Sequence, residues 1–367
     1  MPDEVMILGA TGRVGRAIAA RLDASGTQLV LFGRDRQRLK LAASTLSRIP
    51  RLETGSLEQL GQILAAQPPA VVVSTVGPFA STAATVIHAL PENTHYLDLS
   101  NEYASFEAAF ARDTAARRAG QTLVPGAGFG VVATESVLVA LTDGQPTPTD
   151  VRVDALPSVA SEGDAIGAAL AGSIVDSLPL GRRQVRADKL VTTAFDDTPA
   201  QLVTPDGDRV TSINFPSGDL FAAWRDSQAA NVISGSTEIP AGAVIRYALP
   251  TFGLLARSSR VRQLLTSQMA KAKLPGRPRP RVHSWGHAKV SFPDGSEREG
   301  WMRAEEAMEF TAAAAAEVTR RLLAGEARPG AHTPCALFGP GLAEAARGEL
   351  LLGSSHPKQN DIAAGAR

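Results

Sequence analysis

The chain has 367 residues, 44% of them hydrophobic and 20% charged, which excludes wholesale disorder and leaves room for two domains with substantial cores. Thirty-seven basic residues balance thirty-seven acidic ones, so global charge gives no reason to expect nucleic acid or a membrane as partner. The single cysteine, Cys335, excludes an internal disulfide and a cysteine-based metal cluster and fits a reducing, cytoplasmic setting.

The first residues, Pro2-Asp3-Glu4, lack the basic-then-apolar order of a secretory signal. Up to about residue 125, short β-rich runs alternate with amphipathic stretches, the pattern of a parallel sheet with crossover helices. Val5 to Leu8 reads as the first strand. Arg13 to Ser25 reads as a helix with Val14, Ile18 and Leu22 on one face, stopped by Gly26. Strand Gln28 to Phe32, helix Arg36 to Leu46, a weak strand at Arg51 to Glu53, helix Leu57 to Ala66 and the buried strand Ala70 to Thr75 follow. A helix including Val86 to Leu90, strand His95 to Leu99, helix Ser105 to Ala119 and strand Gln121 to Val124 complete a doubly wound domain.

Beyond Gly130 the pattern changes to strands at Val151 to Ala155, Leu190 to Thr193, Gln201 to Val203, Arg209 to Ile213 and Asn231 to Ser236. Two hairpin turns, Pro205-Asp-Gly-Asp208 and Pro293-Asp-Gly295, point to a largely antiparallel sheet, the second turn joining His287 to Phe292 with Arg298 to Trp301. Ala241 to Ala256 is apolar but holds Arg246 and Pro250 and falls short of the roughly 20 residues of a membrane span, so no anchor is expected there. Helix Ala304 to Leu323, with Met308, Phe310 and a run of alanines, reads as core or a dimer seam.

Gly9, Gly12 and Gly15 follow a strand and open a helix, the context in which backbone N–H groups and the helix N-terminus receive a dinucleotide pyrophosphate. Gly9, Ala10, Thr11, Gly12, Arg13 and Val14 are therefore expected to line the cofactor; a bare strand-to-helix turn is the alternative. At the end of strand two, where an NAD enzyme carries Asp or Glu, stands Phe32-Gly33-Arg34-Asp35. Gly33 leaves room for a 2′-phosphate and Arg34 supplies a guanidinium, with Arg38 and Arg13 in reach, so NADPH is favoured over NADH; Asp35 turned toward a ribose is the competing reading. Thr75, Val76, Gly77 and Pro78 lie at the carboxyl edge of a strand, where they can line the nicotinamide ribose or simply form a turn.

Hydride transfer needs a proton donor or polarising group near the nicotinamide. Asp98, Asn101, Glu102 and Tyr103 cluster at a strand end: Asn101 is expected at the cofactor, Glu102 and Tyr103 in catalysis, with helix capping by Asp98 and Glu102 and packing by Tyr103 as alternatives. His283 and His287, spaced for one strand face, offer a second polar wall, with His287 the catalytic candidate. No carboxylate or cysteine stands near them in sequence, so no metal site is expected. Arg257 to Arg281 carries eight basic residues and no acidic one, a solvated surface or a contact for an acidic carrier protein. Aromatics are not interleaved with these charges, which argues against nucleic acid.

Taken together, the Gly9 loop, Gly33-Arg34-Asp35, Ser74-Thr-Val-Gly-Pro78, His95-Tyr-Leu-Asp-Leu-Ser-Asn-Glu102 and Pro329-Gly-Ala-His-Thr-Pro334 resemble the saccharopine dehydrogenase-like NADP-binding oxidoreductases, a group related to trans-acting enoyl reductases. The resemblance covers both ends of the chain and not residues 135 to 280. Asn101 stands where that family has glycine, and Gly126-Ala-Gly-Phe-Gly130 lacks the Gly-Phe-Asp-Ser-Val-Pro run of the enoyl reductases. The resemblance implies an α/β fold, with a Rossmann domain over residues 1–130, an α+β substrate and dimerisation domain over 131–325, and a segment at 326–353 packing back on the Rossmann domain. The Gly-, Ser- and Ala-rich end, 354–367, reads as a flexible tail. It further implies a homodimer that uses NADP(H) to reduce a C=N or conjugated C=C bond of a small metabolite. A trans-acting enoyl reductase on a carrier-bound acyl chain and a non-catalytic NADP(H) sensor are the alternatives.

Overall fold

Val5, Met6, Ile7 and Leu8 are all shielded from solvent, because alternate side chains of β1 (Glu4–Leu8) enter two cores on opposite sheet faces: Val5 and Ile7 one, Met6 and Leu8 the other. Such an uninterrupted apolar run is what a central parallel strand requires. The computed structural model describes residues 4–160, 182–193, 199–237, 258–271 and 278–353.

From β1 the chain runs through α1 (Arg13–Ala24), β2 (Gln28–Gly33), α2 (Arg36–Ala43), β3 (Arg51–Thr54), α3 (Leu60–Ala66), β4 (Val71–Ser74), α4 (Phe79–Ala89), β5 (His95–Asp98), α5 (Tyr103–Ala111), α6 (Asp113–Arg118) and β6 (Thr122–Val124). These strands pair in parallel in the order β3-β2-β1-β4-β5-β6, so the chain reverses its winding between β1 and β4. That reversal opens a crevice at the carboxyl edge, beside the Gly9 loop and the loops after β4 and β5. The single helix expected over Ser105 to Ala119 is two, broken at Arg112, and the break lets the Asp113 carboxylate accept the Ala331 N–H at 2.9 Å.

Next comes α7 (Phe129–Thr142), which amphipathic periodicity does not reveal because almost every residue in it is buried. The second sheet contains β7 (Asp150–Leu156), β8 (Arg182–Arg186), β9 (Lys189–Thr193), β10 (Ala200–Val203), β11 (Arg209–Asn214), β12 (Asn231–Ser236), β13 (Ser284–Ser291) and β14 (Glu297–Ala304). Only the β12–β7 pairing is parallel among the described residues; the others are antiparallel, and both Pro-Asp-Gly turns fall in hairpins, β10–β11 and β13–β14. The helices α8 (Gly218–Ser227), α9 (Ser259–Lys271) and α10 (Ala307–Arg321) complete this part, α10 starting later than expected because Ala304 ends β14 and Glu306 caps the helix.

Helix α7 lies against β13 and β14 at glycines: a Cβ on Gly286 would sit 2.6 Å from the Ala133 backbone, and one on Gly300 3.0 Å from Val137 Cγ1. Since alternate residues face opposite sides, Ser284, Gly286, Ala288 and Val290 face the helix layer while Trp285 and His287 face away from it. The C-terminal stretch adds a strand to each sheet: β15 (Gly330–Ala331) pairs in parallel with β6, and β16 (Glu349–Leu352) pairs with β14. Expectations for Ala241 to Ala256, for the 354–367 tail, and for residues 257 and 272–277 of the basic stretch lie outside the described residues. No helix among the described residues is long and apolar enough to cross a membrane.

A buried carboxyl pair fastens that C-terminal stretch. Glu135 on α7 accepts the N–H groups of Cys335 and Ala336, both at 2.9 Å, and Asp226 on α8 accepts the Thr333 hydroxyl at 3.1 Å. Burial, reinforced by the Glu135 charge, raises the Asp226 carboxyl well above its ordinary range. With the folded value raised, this contribution to stability is full below the ordinary carboxylate range and is lost as pH rises through the folded value. Asp226→Asn should therefore flatten the decline of the urea midpoint with rising pH; parallel profiles for variant and parent would assign that decline to another group.

Candidate functional site

The glycine loop is built for close approach. Gly9 has φ of +78°, and a Cβ there would sit 2.6 Å from Thr75 Oγ1; one on Gly15 would lie 2.5 Å from the Gly9 carbonyl oxygen. Gly12 donates to the Gly9 carbonyl at 2.9 Å and occupies the N-cap of α1, which no side chain caps. The loop thus leaves the positive helix terminus open toward the crevice. Thr75 Oγ1 donates to the carbonyls of Leu8 at 2.8 Å and Gly9 at 3.3 Å, and the Thr82 hydroxyl donates to Val76 O at 2.6 Å, so the β4 loop and the glycine loop are held as one surface. Gly77 and Pro78 complete that surface, Pro78 at the N-cap of α4. Of the other loop residues, Ala10 is fully buried, whereas Arg13 is exposed and reaches Glu306 at 3.4 Å.

At the end of β2 two neighbours divide. Asp35 Oδ1 accepts from Gln37 N at 2.8 Å and Arg38 N at 3.1 Å, capping α2. Arg34 is exposed and has no hydrogen bond or ion pair among the described residues. Gly33 leaves its space to Leu39, whose Cδ2 would stand 3.3 Å from a Cβ there.

Three carboxylates, two at the end of β5 and one at the start of α8, have distinct duties. Asp98, fully buried, accepts from Ser100 N at 3.0 Å, Ser100 Oγ at 2.7 Å, Gly126 N at 2.9 Å and Tyr96 Oη at 2.7 Å. Burial raises its carboxyl, and the bonds from Ser100 and Gly126 oppose that rise. Glu102 accepts from Phe79 N at 3.2 Å and Asn101 N at 3.0 Å, bridging the β4 and β5 loops. Neither side chain caps α5, contrary to the capping alternative. The third, Asp219 at the start of α8, accepts the Thr134 hydroxyl at 2.9 Å, and burial raises its carboxyl too. Asn101 turns toward this junction: a Cβ on Gly130 would lie 2.9 Å from its Nδ2, and one on Gly218 3.1 Å from its Oδ1. The Asn101 side chain therefore packs between the N-termini of α7 and α8.

Tyr103 opens α5 only 3% exposed, its ring edge-on to Phe221 at 5.4 Å. Burial pushes its phenol up to about 12, with the Glu107 charge adding and Arg183 opposing. The phenol stays protonated at neutral pH and is a donor. Sequence reasoning missed Arg183 and Asp219; the Pro216-Ser217-Gly218-Asp219 helix-start signal marked the latter.

His287 does not join this cluster. It faces away from the helix layer, 1% exposed, with Nδ1 2.9 Å from Asp154 Oδ2, Nε2 3.0 Å from Glu299 Oε1, and its ring on Trp301 at 4.4 Å. Burial acts to lower its imidazole, but the two carboxylates outweigh it and raise it. This geometry gives His287 a structural role beside the catalytic one expected of it. It corrects the expectation that no carboxylate lies near the histidines, since strand pairing brings Asp154 and Glu299 to His287, while His283 Nδ1 lies 2.7 Å from Asp206. No group of three or more side chains suited to hold a metal occurs among the described residues.

A scan against protein-family models and a search of curated proteins each find no match. Among solved structures, the chain is similar to apo histidine-tagged saccharopine dehydrogenase (L-Glu forming) from Saccharomyces cerevisiae, with 13% identity over 97% of this chain and 100% of that one and a TM-score of 0.61. The likeness shows that the two share a saccharopine dehydrogenase-like fold. A short-chain dehydrogenase/reductase from Vibrio parahaemolyticus matches 33% of this chain and 82% of its own at 15% identity, TM-score 0.30. A metagenomic short-chain oxidoreductase in complex with NADP matches 34% of this chain and 80% of its own at 14% identity, TM-score 0.29. These two are too distant to bear on the site.

Because the Gly15 Cβ would meet backbone rather than a movable side chain, Gly15→Ala should lower stability by about 1–3 kcal/mol. A urea midpoint equal to that of the parent would contradict the close-approach geometry.

Proposed function

We propose that the chain is an NADPH-dependent oxidoreductase that reduces a C=N bond, or a conjugated C=C bond, of a small organic metabolite. The observation that carries the cofactor choice is the division between Asp35, spent on capping α2, and Arg34, exposed and unpaired among the described residues. A carboxylate turned away cannot hold the ribose hydroxyls of NADH, while a free guanidinium matches a 2′-phosphate. The glycine cradle fits a pyrophosphate, since its backbone is bare where a Cβ would intrude and the α1 terminus has no side-chain cap. When bound, the nicotinamide supplies the hydride.

This chain's residues do the rest. Gly9, Gly12 and the N-terminus of α1 bind the pyrophosphate, Arg34 the 2′-phosphate, and Thr75 to Pro78 form the wall beside the nicotinamide ribose. Tyr103 holds the proton at its phenol oxygen for delivery to the atom that gains charge, and Glu102 acts as a positioning residue by fixing the β4 loop to the β5 loop. A homodimer in the cytoplasm belongs to the same proposal. The second reading, an enoyl reductase acting in trans on an acyl chain delivered by an acidic carrier, draws on the basic stretch 257–281, of which α9 is the largest described part.

Titration followed by bound-nicotinamide fluorescence should show tighter NADPH than NADH, and Arg34→Ala should weaken NADPH by roughly 10–100-fold, the worth of one charge-assisted contact, leaving NADH unchanged. Equal affinities in the parent would remove the role given to Arg34. With a turned-over substrate in hand, Tyr103→Phe should cut kcat by about 100-fold or more with KM little changed. A fully active Tyr103→Phe would assign the proton elsewhere, and binding of NADPH without turnover of imines or enoyl thioesters would favour the sensor.

A further inference from the structure

The outer edge of β12 is shared by two strands: β11 pairs with Ser236 and Gly235, and β8 with Val232. Between them the sheet forks and leaves a cavity of about 180 Å³ on the face turned away from the helix layer. Its lining includes Arg152, Arg186, Gln184, Asn214, Ser212 and Ile233, with no carboxylate among the described lining residues.

The polar lining is braced from behind. Asp154 receives Arg152 Nε at 2.9 Å and Nη2 at 2.6 Å, the Ser212 hydroxyl at 2.6 Å and the His287 imidazole at 2.9 Å. Its carboxylate is fully committed, and Arg152 Nη1 is left without a bond to any described residue. The arrangement depends on Gly235, where a Cβ would lie 2.4 Å from Asp154 Oδ1 and from Ser212 Oγ. Gln184, with its amide turned to accept, receives Arg186 Nη2 at 2.8 Å, and Asn214 Oδ1 is buried with no partner.

We propose that this fork is a binding site for a small oxyanion, a carboxylate or a phosphate, separate from the dinucleotide loops. Among the described residues, two guanidiniums against one committed carboxylate leave net positive charge, and Arg152 presents a fixed donor rather than a floppy one. At roughly 30 Å³ per water the volume holds about six waters, so the occupant is a small metabolite, with Ile233 against its apolar part.

Isothermal titration of the full chain with sodium phosphate and, separately, sodium malonate at constant ionic strength tests this. Saturable binding of either probe is expected, weakened at least 10-fold in Arg186→Gln and retained in Arg34→Ala. Response to malonate alone or to phosphate alone identifies the oxyanion. No saturable heat with either probe, or heat unchanged in Arg186→Gln, overturns the site. A response abolished in Arg34→Ala also overturns it, by assigning the anion to the cofactor loop; the cofactor proposal itself stands or falls on NADPH.

Discussion

The contact on which the architecture depends is the seating of α7 on β13. Gly286 and Gly300 remove the side chains that would hold the helix off the sheet, and Ala133 and Val137 descend into the space. A helix this deep has little solvent face, so its polar residues Thr134, Glu135 and Ser136 must find partners inside, and its N-terminus lies at the carboxyl edge of the Rossmann sheet, where Phe129 N donates to Thr311 Oγ1 at 3.0 Å. The same packing sorts the second sheet into a near face and a far face. Residues one apart in β13 consequently belong to different environments, which is why Gly286 is a packing residue and His287 a member of a remote polar network.

Buried carboxylates form the joints of this frame. Asp98 ties β5 to the loop after β6, Glu135 ties α7 to the C-terminal stretch, Asp219 ties α8 to α7, and Asp154 ties β7 to β11 and β13. Each accepts bonds from segments far apart in sequence. A carboxylate is suited to this because it takes several donors at once and loses heavily if any is withdrawn. Loops fixed this way present a preformed crevice, and a preformed crevice binds with less ordering cost than one assembled on contact.

Local signals carried the Rossmann half in sequence: apolar runs, glycine stops and the strand-loop-helix context of Gly9 to Gly15 depend only on near neighbours, and the strands appear where the runs lie. Helix α7 was invisible for the opposite reason, its character being set by burial on all sides. The partners of His287 were equally hidden, since Asp154 is 133 positions away and reaches it only through the β13–β7 register. Asn101 shows the same limit: the approach of its amide to Gly130 and Gly218 depends on residues far along the chain. The β8–β11 fork had no sequence signature, because a fork is a property of three strands together.

Saturation separates the polar groups that hold the fold from those poised for a ligand. Asp98 and Asp154 have their acceptor capacity met by the chain itself and Asp35 Oδ1 is spent on the α2 cap, so recruiting any of them for chemistry would unmake a joint or a cap. Arg34, the Tyr103 phenol and the Nη1 edge of Arg152 have donors left over among the described residues. Donors predominate in that second group, and the helix terminus at Gly12 adds further positive potential. A surface rich in spare donors favours ligands rich in acceptors. Phosphates, carboxylates and a substrate atom that gains negative charge on reduction share that one property, so the same accounting that assigns the cofactor loop its phosphates assigns the sheet fork its oxyanion.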